Sequence, residues 1–323
     1  MGTRSMSRTG PAASLQWWSQ GALVAVTLVW GTTFSITKQS LASVPPILFL
    51  ALRFTLASAA LAPIVLWQAR RCRFSVRFWP VAALLGAVQF VGFAAQTVGL
   101  AHTTASKAAF ITGLSVVIVP VLERLFYQQR FNGWIWAGVA LATAGLAVLS
   151  VNPAEWLWFS WGDLLVLLCA VAFALYIVVV GRHASHVDAL LLTAGQIVLT
   201  ALLSWGAGLA LEGPLPPLSP AVWGALAFLA LIATVGTTWV QMWAQKVTDP
   251  THTALIFSLE PVFAAVFAFL LLGETPGWRT WLGGAAILGG MILAERSPRP
   301  AAPAGGNRPA PGRDDVAPST GAE

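Results

Sequence analysis

The sequence predicts an all-α membrane protein of about ten transmembrane helices arranged as two inverted five-helix repeats. Three observations carry this prediction. Hydrophobic residues make up 57% of the 323 positions and charged residues 9%, with a mean hydropathy of +0.75, which leaves too few charges to cover a soluble domain of this size. Apolar windows of about 20 residues, each long enough to cross a hydrocarbon core as a helix, follow one another along the chain. Finally, residues 106–129 realign on residues 251–274 without a gap, at a constant spacing of 145 that holds from Gln96/Gln241 to Ser150/Glu295. Apolar matches at that spacing arise by chance. The identities that carry the duplication are Gln96/Gln241, Thr103/Thr248, Trp136/Trp281, Gly138/Gly283 and Gly145/Gly290.

The spans read in order as residues 20–41, 46–67, 79–100, 104–127 and 134–151 in the first half, then 162–181, 189–211, 220–244, 251–272 and 278–295 in the second. Arg4 and Arg8 precede the first span, but no cleavage site of small residues follows it, so it reads as a retained helix with Trp17 and Trp18 at its interfacial edge. Connections are short and carry turn residues, as at Val44-Pro45-Pro46, Asn152-Pro153, Asp249-Pro250 and Pro276-Gly277. They leave no room for a separate soluble module. The expected organisation is a cytoplasmic tail over 1–19, a first repeat over 20–151, a second over 162–295, and a disordered cytoplasmic tail over 296–323. That last segment is too rich in Pro, Ala, Gly and Arg to bury apolar surface.

Net charge is +6, yet the basic residues are spread through short loops and tails and form no patch for nucleic acid. Threaded through the spans, Arg4, Arg8, Arg70, Arg71, Arg73, Arg77, Arg124, Arg130, Arg182, Lys246, Arg296, Arg299, Arg308 and Arg313 fall on one side, with Arg279 on the other. The positive-inside rule then places both termini in the cytoplasm of a bacterial inner membrane. Five spans per half is an odd number, so the second half enters from the opposite side and the repeats are inverted. The two cysteines, Cys72 and Cys169, have no framework or metal-ligand spacing. His102, His183, His186 and His252 lie near span ends without a pattern of acidic partners. No nucleophile motif, metal cluster or phosphate-binding glycine loop is present, so neither an enzyme nor a cofactor is expected.

Candidate functional residues are polar groups within spans. Lys38, Arg53 and Lys107 fall in the outer half. They read either as a positively charged vestibule for a substrate carboxylate or phosphate, or, for the two lysines, as snorkelling side chains and, for Arg53, as half of a structural ion pair. Glu260, about 13 Å from the inner end of its helix, lies near the midplane before Pro261; proton carrier, substrate contact and structural residue are all open readings. Gln89 and Gln96, two turns apart, share a face that Gln196, Gln241, Tyr176, Thr33, Trp30, Trp239 and Trp243 are expected to join around a central cavity. Glu123 reads as an interfacial ion pair with the adjacent Arg124. Trp156, Trp158, Trp161 and Trp278 read as interfacial belt, and the glycines near 138, 145, 283 and 290 as helix-packing positions.

Several motifs resemble the ten-helix EamA-type members of the drug/metabolite transporter superfamily. They are Trp30-Gly31-Thr32-Thr33-Phe34 with Lys38, Arg53-Phe54, the run from Thr104 through Lys107 to Leu114 leading to Pro120, Ser258-Leu259-Glu260-Pro261-Val262-Phe263, and Leu272-Gly273-Glu274. Two positions depart from that pattern: Gln128-Gln129 stands where Gly-Glu would match the second half, and Phe173 where many members carry Trp. The resemblance implies paired five-helix inverted repeats and export or exchange of small metabolites such as amino acids. The expected function is therefore a secondary exporter of small polar or zwitterionic metabolites, with a small-molecule substrate and the lipid bilayer as partners and an oligomeric state left open. The alternative, a non-transporting membrane scaffold or sensor, would call for a structured extramembrane module.

Overall fold

The structure is a computed structural model that describes residues 11–69, 78–150, 160–272 and 277–296. Arg4, Arg8, Arg70, Arg71, Arg73, Arg77, Cys72, Trp156, Trp158, Glu274, Arg299, Arg308, Arg313 and most of both tails lie outside the described residues.

With no water in a bilayer core, each spanning segment has to bond its own backbone groups internally, and the apolar runs do so as helices. The first half contains α1 (Pro11–Ser40), α2 (Pro46–Ala69), α3 (Phe78–His102), α4 (Ala105–Gly113), α5 (Ser115–Tyr127) and α6 (Gly133–Ser150). The second contains α7 (Trp161–His183), α8 (Ala189–Leu211), α9 (Pro220–Ala230), a π-helical segment (Leu231–Gly236), α10 (Thr237–Ala244), α11 (Pro250–Phe257), α12 (Glu260–Leu272) and α13 (Trp278–Glu295). Their starts are set locally. Ser160, Asp188, Ser219 and Asp249 each accept a hydrogen bond from the first turn of the helix that follows, and Pro220 and Pro250 occupy first-turn positions where a missing N–H costs nothing. Among the described residues, eight helical spans, taking Lys107–Tyr127, Pro220–Ala244 and Pro250–Phe267 each as one, are long and apolar enough to cross a membrane, and Gly133–Leu149 is a shorter apolar helix.

Three spans differ from expectation. The first begins earlier, as α1 runs from Pro11, so Trp17 and Trp18 lie on the helix itself and remain 74% exposed. The fourth and ninth, expected as continuous helices, are each interrupted. Leu114 separates α4 from α5, and Ser258-Leu259 separate α11 from α12. Pro261 cannot donate to the Phe257 carbonyl, and the chain tightens there, with the Leu259 N–H bonding back to Ile256.

Helix ends repeat at the spacing of 145: Ser115–Tyr127 matches Glu260–Leu272, and Gly133–Ser150 matches Trp278–Glu295. The helix pairs show that the repeats are inverted. In the antiparallel contact between α6 and α13, Gly138 faces Gly290 and Gly145 faces Gly283, the exchange of partners that a two-fold axis in the membrane plane requires. A Cβ added to Gly138 or Gly145 would lie 2.6 Å from the facing backbone oxygen, so these backbones touch. The second self-paired contact joins α2 to α8. There the Glu212 carboxylate accepts the N–H groups of Ile47 and Leu48 at the start of α2, and Gly208 lies against Leu48.

Since the groups facing Gly145 are backbone atoms and cannot swing away, Gly145→Ala should lower stability by about 1–3 kcal/mol in thermal unfolding of the purified protein. Gly224→Ala, with nothing within 4 Å of the added methyl group, should hold stability or raise it by up to about 1 kcal/mol.

Candidate functional site

A cavity lies between the two halves, lined from the first by Trp30, Thr33, Arg53, Gln89, Phe93, Gln96, Thr112, Gly113 and Ser115. The second half contributes Phe173, Tyr176, Ile177, Ala233, Thr238, Gln241, Phe257 and Glu260. Every local departure from straight α-helix described above borders it: the α4–α5 break at Gly113 and Ser115, the α11–α12 break at Phe257 and Glu260, and the π-helical segment at Ala233.

Arg53 is only 4% exposed, and none of its neighbours among the described residues is a carboxylate. Its Nε donates to Thr234 Oγ1 at 2.8 Å and its Nη2 to the Ala233 carbonyl at 3.4 Å, while its Cζ sits 4.9 Å from the centroid of the Phe93 ring. The π-helical segment makes this possible. Thr234 Oγ1 donates to Leu229, five residues back, and the Ala233 carbonyl also receives Thr237 Oγ1 at 2.9 Å and Trp30 Nε1 at 3.4 Å. The guanidinium is thus held by neutral groups and an aromatic face, with its charge uncompensated by any acid nearby. The ion pair that sequence allowed for Arg53 is not formed.

Glu260 is the first residue of α12, where the helix dipole favours a carboxylate, and no hydrogen bond or ion pair engages it among the described residues. Its position follows from close packing of α12 on α1, where a Cβ on Gly31 would meet Phe263 Cβ at 2.8 Å. Ser115, at the spacing of 145 from Glu260, opens α5 in the same way. The aromatic wall is equally fixed. Gly92 admits the Phe173 ring, Phe93 packs edge-on to both Phe173 and Phe54, and Trp30 packs edge-on to Phe257 at 4.8 Å.

Amides and hydroxyls complete the lining. Gln96 Nε2 lies 3.4 Å from Thr112 Oγ1, Thr200 reaches Gln89 Oε1 at 3.1 Å, and Gln241 donates to Gln245 at 2.9 Å. Gln196 is fully buried and does not line the cavity. Both of its amide atoms and the Tyr176 hydroxyl are buried without a hydrogen-bond partner among the described residues. Trp239 and Trp243, expected in the cavity, instead face outward at 46% and 37% exposure. The extra backbone of the π-helical turn rotates the face that follows, so that Thr238 lines the cavity beside the expected Gln241.

No group of three or more potential metal ligands occurs among the described residues, and the cavity holds one guanidinium and one carboxyl group on opposite halves. The sequence pattern of the EamA-like transporter family matches this chain twice, over residues 17–151 and 160–295. The chain belongs to the EamA-like transporter family. It is 30% identical to an uncharacterized transporter of Archaeoglobus fulgidus over 84% of this chain and 83% of that one. It is also 25% identical to the uncharacterized inner membrane transporter YedA of Escherichia coli over 84% of this chain and 89% of YedA. A solved crystal structure superposes with a TM-score of 0.73 at 21% identity, covering 86% of this chain and 96% of the other, which shows a shared fold. The protein is therefore a multi-pass membrane transporter of a small molecule.

The remaining charged residues of this EamA-like transporter lie at the two ends of the bundle. Lys38 and Lys107, expected beside Arg53, do not reach the cavity. Lys38 Nζ donates to the Leu100 and Thr103 carbonyls at the end of α3. Lys107 Nζ donates to Asp163 Oδ2 at 2.8 Å. Asp163 escaped the sequence reading, although the capping pattern Ser160-x-x-Asp163 marks it as a helix-start residue. At the opposite end Glu123 pairs with Arg182 at 3.0 Å and accepts from Thr251, and has no contact with its neighbour Arg124 of the kind adjacency suggested; adjacent helical residues point away from one another. His252 does have acidic partners, Asp249 at 2.6 Å and Glu295 at 3.8 Å. Trp161 and Trp278 are 66% and 69% exposed at span ends, as expected of interfacial residues.

The buried Tyr176 hydroxyl faces the Gln196 amide without a well-formed hydrogen bond, so its removal forfeits little. Tyr176→Phe should leave thermal stability unchanged or raise it by about 1 kcal/mol. A loss larger than that would reveal a partner for the hydroxyl.

Proposed function

We infer that this transporter is a secondary exporter of small polar or zwitterionic metabolites, such as amino acids, working by alternating access between its two inverted repeats. The observation that carries the reading is the pairing, within one cavity, of a guanidinium from the first repeat with a carboxylate from the second, neither of them neutralised by a protein partner. A substrate carboxylate or phosphate binds Arg53 and a substrate ammonium binds Glu260, while Gln89, Gln96, Gln241, Trp30 and Tyr176 supply neutral hydrogen bonds and ring faces. Burying two opposite charges apart from each other is costly unless a ligand satisfies both. A zwitterion does so. Moving one repeat against the other then carries the ligand past the midplane without exposing either charge to lipid.

Both termini are assigned to the cytoplasm, with the first repeat over 20–151 and the second over 162–295. Arg124, Arg130, Arg182, Lys246 and Arg296 cluster at the Glu123 end of the bundle against Arg279 and the buried Lys38 and Lys107 at the Asp163 end, and this bias supports the orientation. A reporter active only outside the cytoplasm, fused after Arg296, should stay silent; inserted between Glu212 and Ser219, it should give signal. The reverse pattern would invert the topology.

Arg53→Gln should reduce transport of zwitterionic and anionic substrates by about tenfold or more while a neutral analogue is much less affected, measured as efflux from proteoliposomes loaded with pooled metabolites. Equal loss for all substrates would make Arg53 a structural residue. Glu260→Gln should abolish both gradient-driven transport and exchange of labelled for unlabelled zwitterion. Loss of driven transport with exchange preserved would instead make the carboxylate a proton carrier.

A further inference from the structure

We propose that Asp163, with Lys107 and Thr103, forms the gate that closes the cavity on the side facing away from the cytoplasm. The proposal rests on the alternating-access reading above. Asp163 belongs to the second repeat and is fully buried. Its Oδ2 accepts Lys107 Nζ at 2.8 Å, and its Oδ1 accepts the Thr103 hydroxyl at 2.5 Å. Both donors come from the first repeat, at the start of α4 and the end of α3. The same carboxylate accepts the Ser160 N–H at 2.8 Å, so it is anchored rigidly to its own helix and every bond it makes elsewhere crosses between the repeats.

The cluster lies directly above the cavity. Lys107 precedes the lining residue Thr112 by about 7 Å along its helix, and Thr103 follows the lining residue Gln96 by about 10 Å. Beneath it α3 and α7 touch backbone to backbone: a Cβ on Gly99 would lie 2.8 Å from the Gly162 oxygen, and one on Gly162 2.7 Å from the Gly99 oxygen. For a solute to leave by this end, α3 and α4 have to part from α7, and each of these contacts has to break.

The repeat provides an internal comparison. The positions at a spacing of 145 from Thr103 and Lys107 are Thr248 and His252 at the opposite end. Thr248 also crosses between repeats, through a 2.7 Å hydroxyl pair with Ser19. His252, however, turns to Asp249 and Glu295 of its own repeat. The ion pair that does cross there, Glu123–Arg182, leaves Arg182 with 34% of its side chain exposed, against 7% and 0% for Lys107 and Asp163. Equivalent places at the two ends are thus closed by unequal chemistry, and the fully buried charge pair is on one side only. A pair of this kind holds while dry, and it separates when water enters and hydrates both ions, which suits a gate that opens as a unit.

The test reads access to the cavity. Ser115→Cys places a thiol on the cavity wall in a background carrying Cys72→Ser and Cys169→Ala. Labelling by a membrane-impermeant methanethiosulfonate reagent is followed in right-side-out and inside-out vesicles. Adding Asp163→Asn should raise the labelling rate at least about tenfold from one side only, and Glu123→Gln should not raise it from that side. Should Asp163→Asn leave Lys107 unpaired and the protein unfolded, Lys107→Met with Asp163→Asn removes both charges and should give the same one-sided rise. A rise from the cytoplasmic side keeps the gate and overturns the assigned orientation. Unchanged labelling of folded protein, or an equal rise from both sides, overturns the gate.

Discussion

A bilayer core offers a backbone no water, and this constraint governs where the chain is allowed to be irregular. A helix that breaks against lipid leaves bare N–H and C=O groups, each costing several kcal/mol, so breaks are confined to places that face protein or a polar cavity. All three irregular segments here obey that rule. Gly113 and Ser115, Phe257 and Glu260, and Ala233 of the π-helical turn all line one space between the repeats. The irregularity in turn creates the chemistry of that space: a carbonyl displaced from regular helical bonding takes three donors at Ala233, and a helix starting at Glu260 presents its carboxylate at mid-bundle.

The same scarcity of water decides how each charge within the bundle is treated. Lys107 and Asp163 neutralise each other, Lys38 is held by carbonyls at a helix end, and Glu123 is shared between Arg182 and Thr251. Arg53 and Glu260 are treated differently. Arg53 has a threonine hydroxyl, a carbonyl and a ring face, enough to orient a guanidinium but not to cancel its charge. A protein built only for stability would have replaced the pair with apolar residues of the same volume. Keeping both, on opposite halves of one cavity, leaves neither in an ion pair among the described residues.

How much of this could be read beforehand depended on whether the signal was local, periodic or long-range. The ten-span layout and the glycine contact between α6 and α13 were legible, because span length and a repeat of 145 are properties of the linear sequence. So was the membership of Trp30, Thr33, Gln89, Gln96, Tyr176 and Gln241 in one cavity, since polar groups in apolar helices turn away from lipid, whereas Arg53 was expected in an outer vestibule beside Lys38 and Lys107. Partners were not legible. Lys107 meets an acid 56 positions away, and Glu123 meets Arg182 across the bundle although Arg124 stands beside it. Phase was lost wherever the helix departed from 3.6 residues per turn: Trp239 and Trp243 were expected inside because a straight helix was assumed through the π-helical segment. Gln196 shares the polarity of the cavity residues but sits behind them, a distinction of a few ångströms that composition does not record.

Symmetry explains the fold, and its violations explain what the fold is used for. The repeats agree where they must pack, at Gly138 with Gly283 and Gly145 with Gly290, since one geometry has to serve both halves of a two-fold contact. They agree at one cavity position, Gln96 with Gln241, and disagree at others. Ser115 stands opposite Glu260 and Thr112 opposite Phe257, each pair at the spacing of 145. A fully symmetric cavity would present like charges or none to a ligand, and the like-charged version would repel itself across the axis. Divergence at these few positions lets one half present a carboxyl group at Glu260 where the other presents Ser115, while leaving the helix contacts alone. The same divergence at Lys107 and His252 makes the two ends of the bundle unequal, with a buried ion pair between the repeats at one end and a histidine paired within its own repeat at the other.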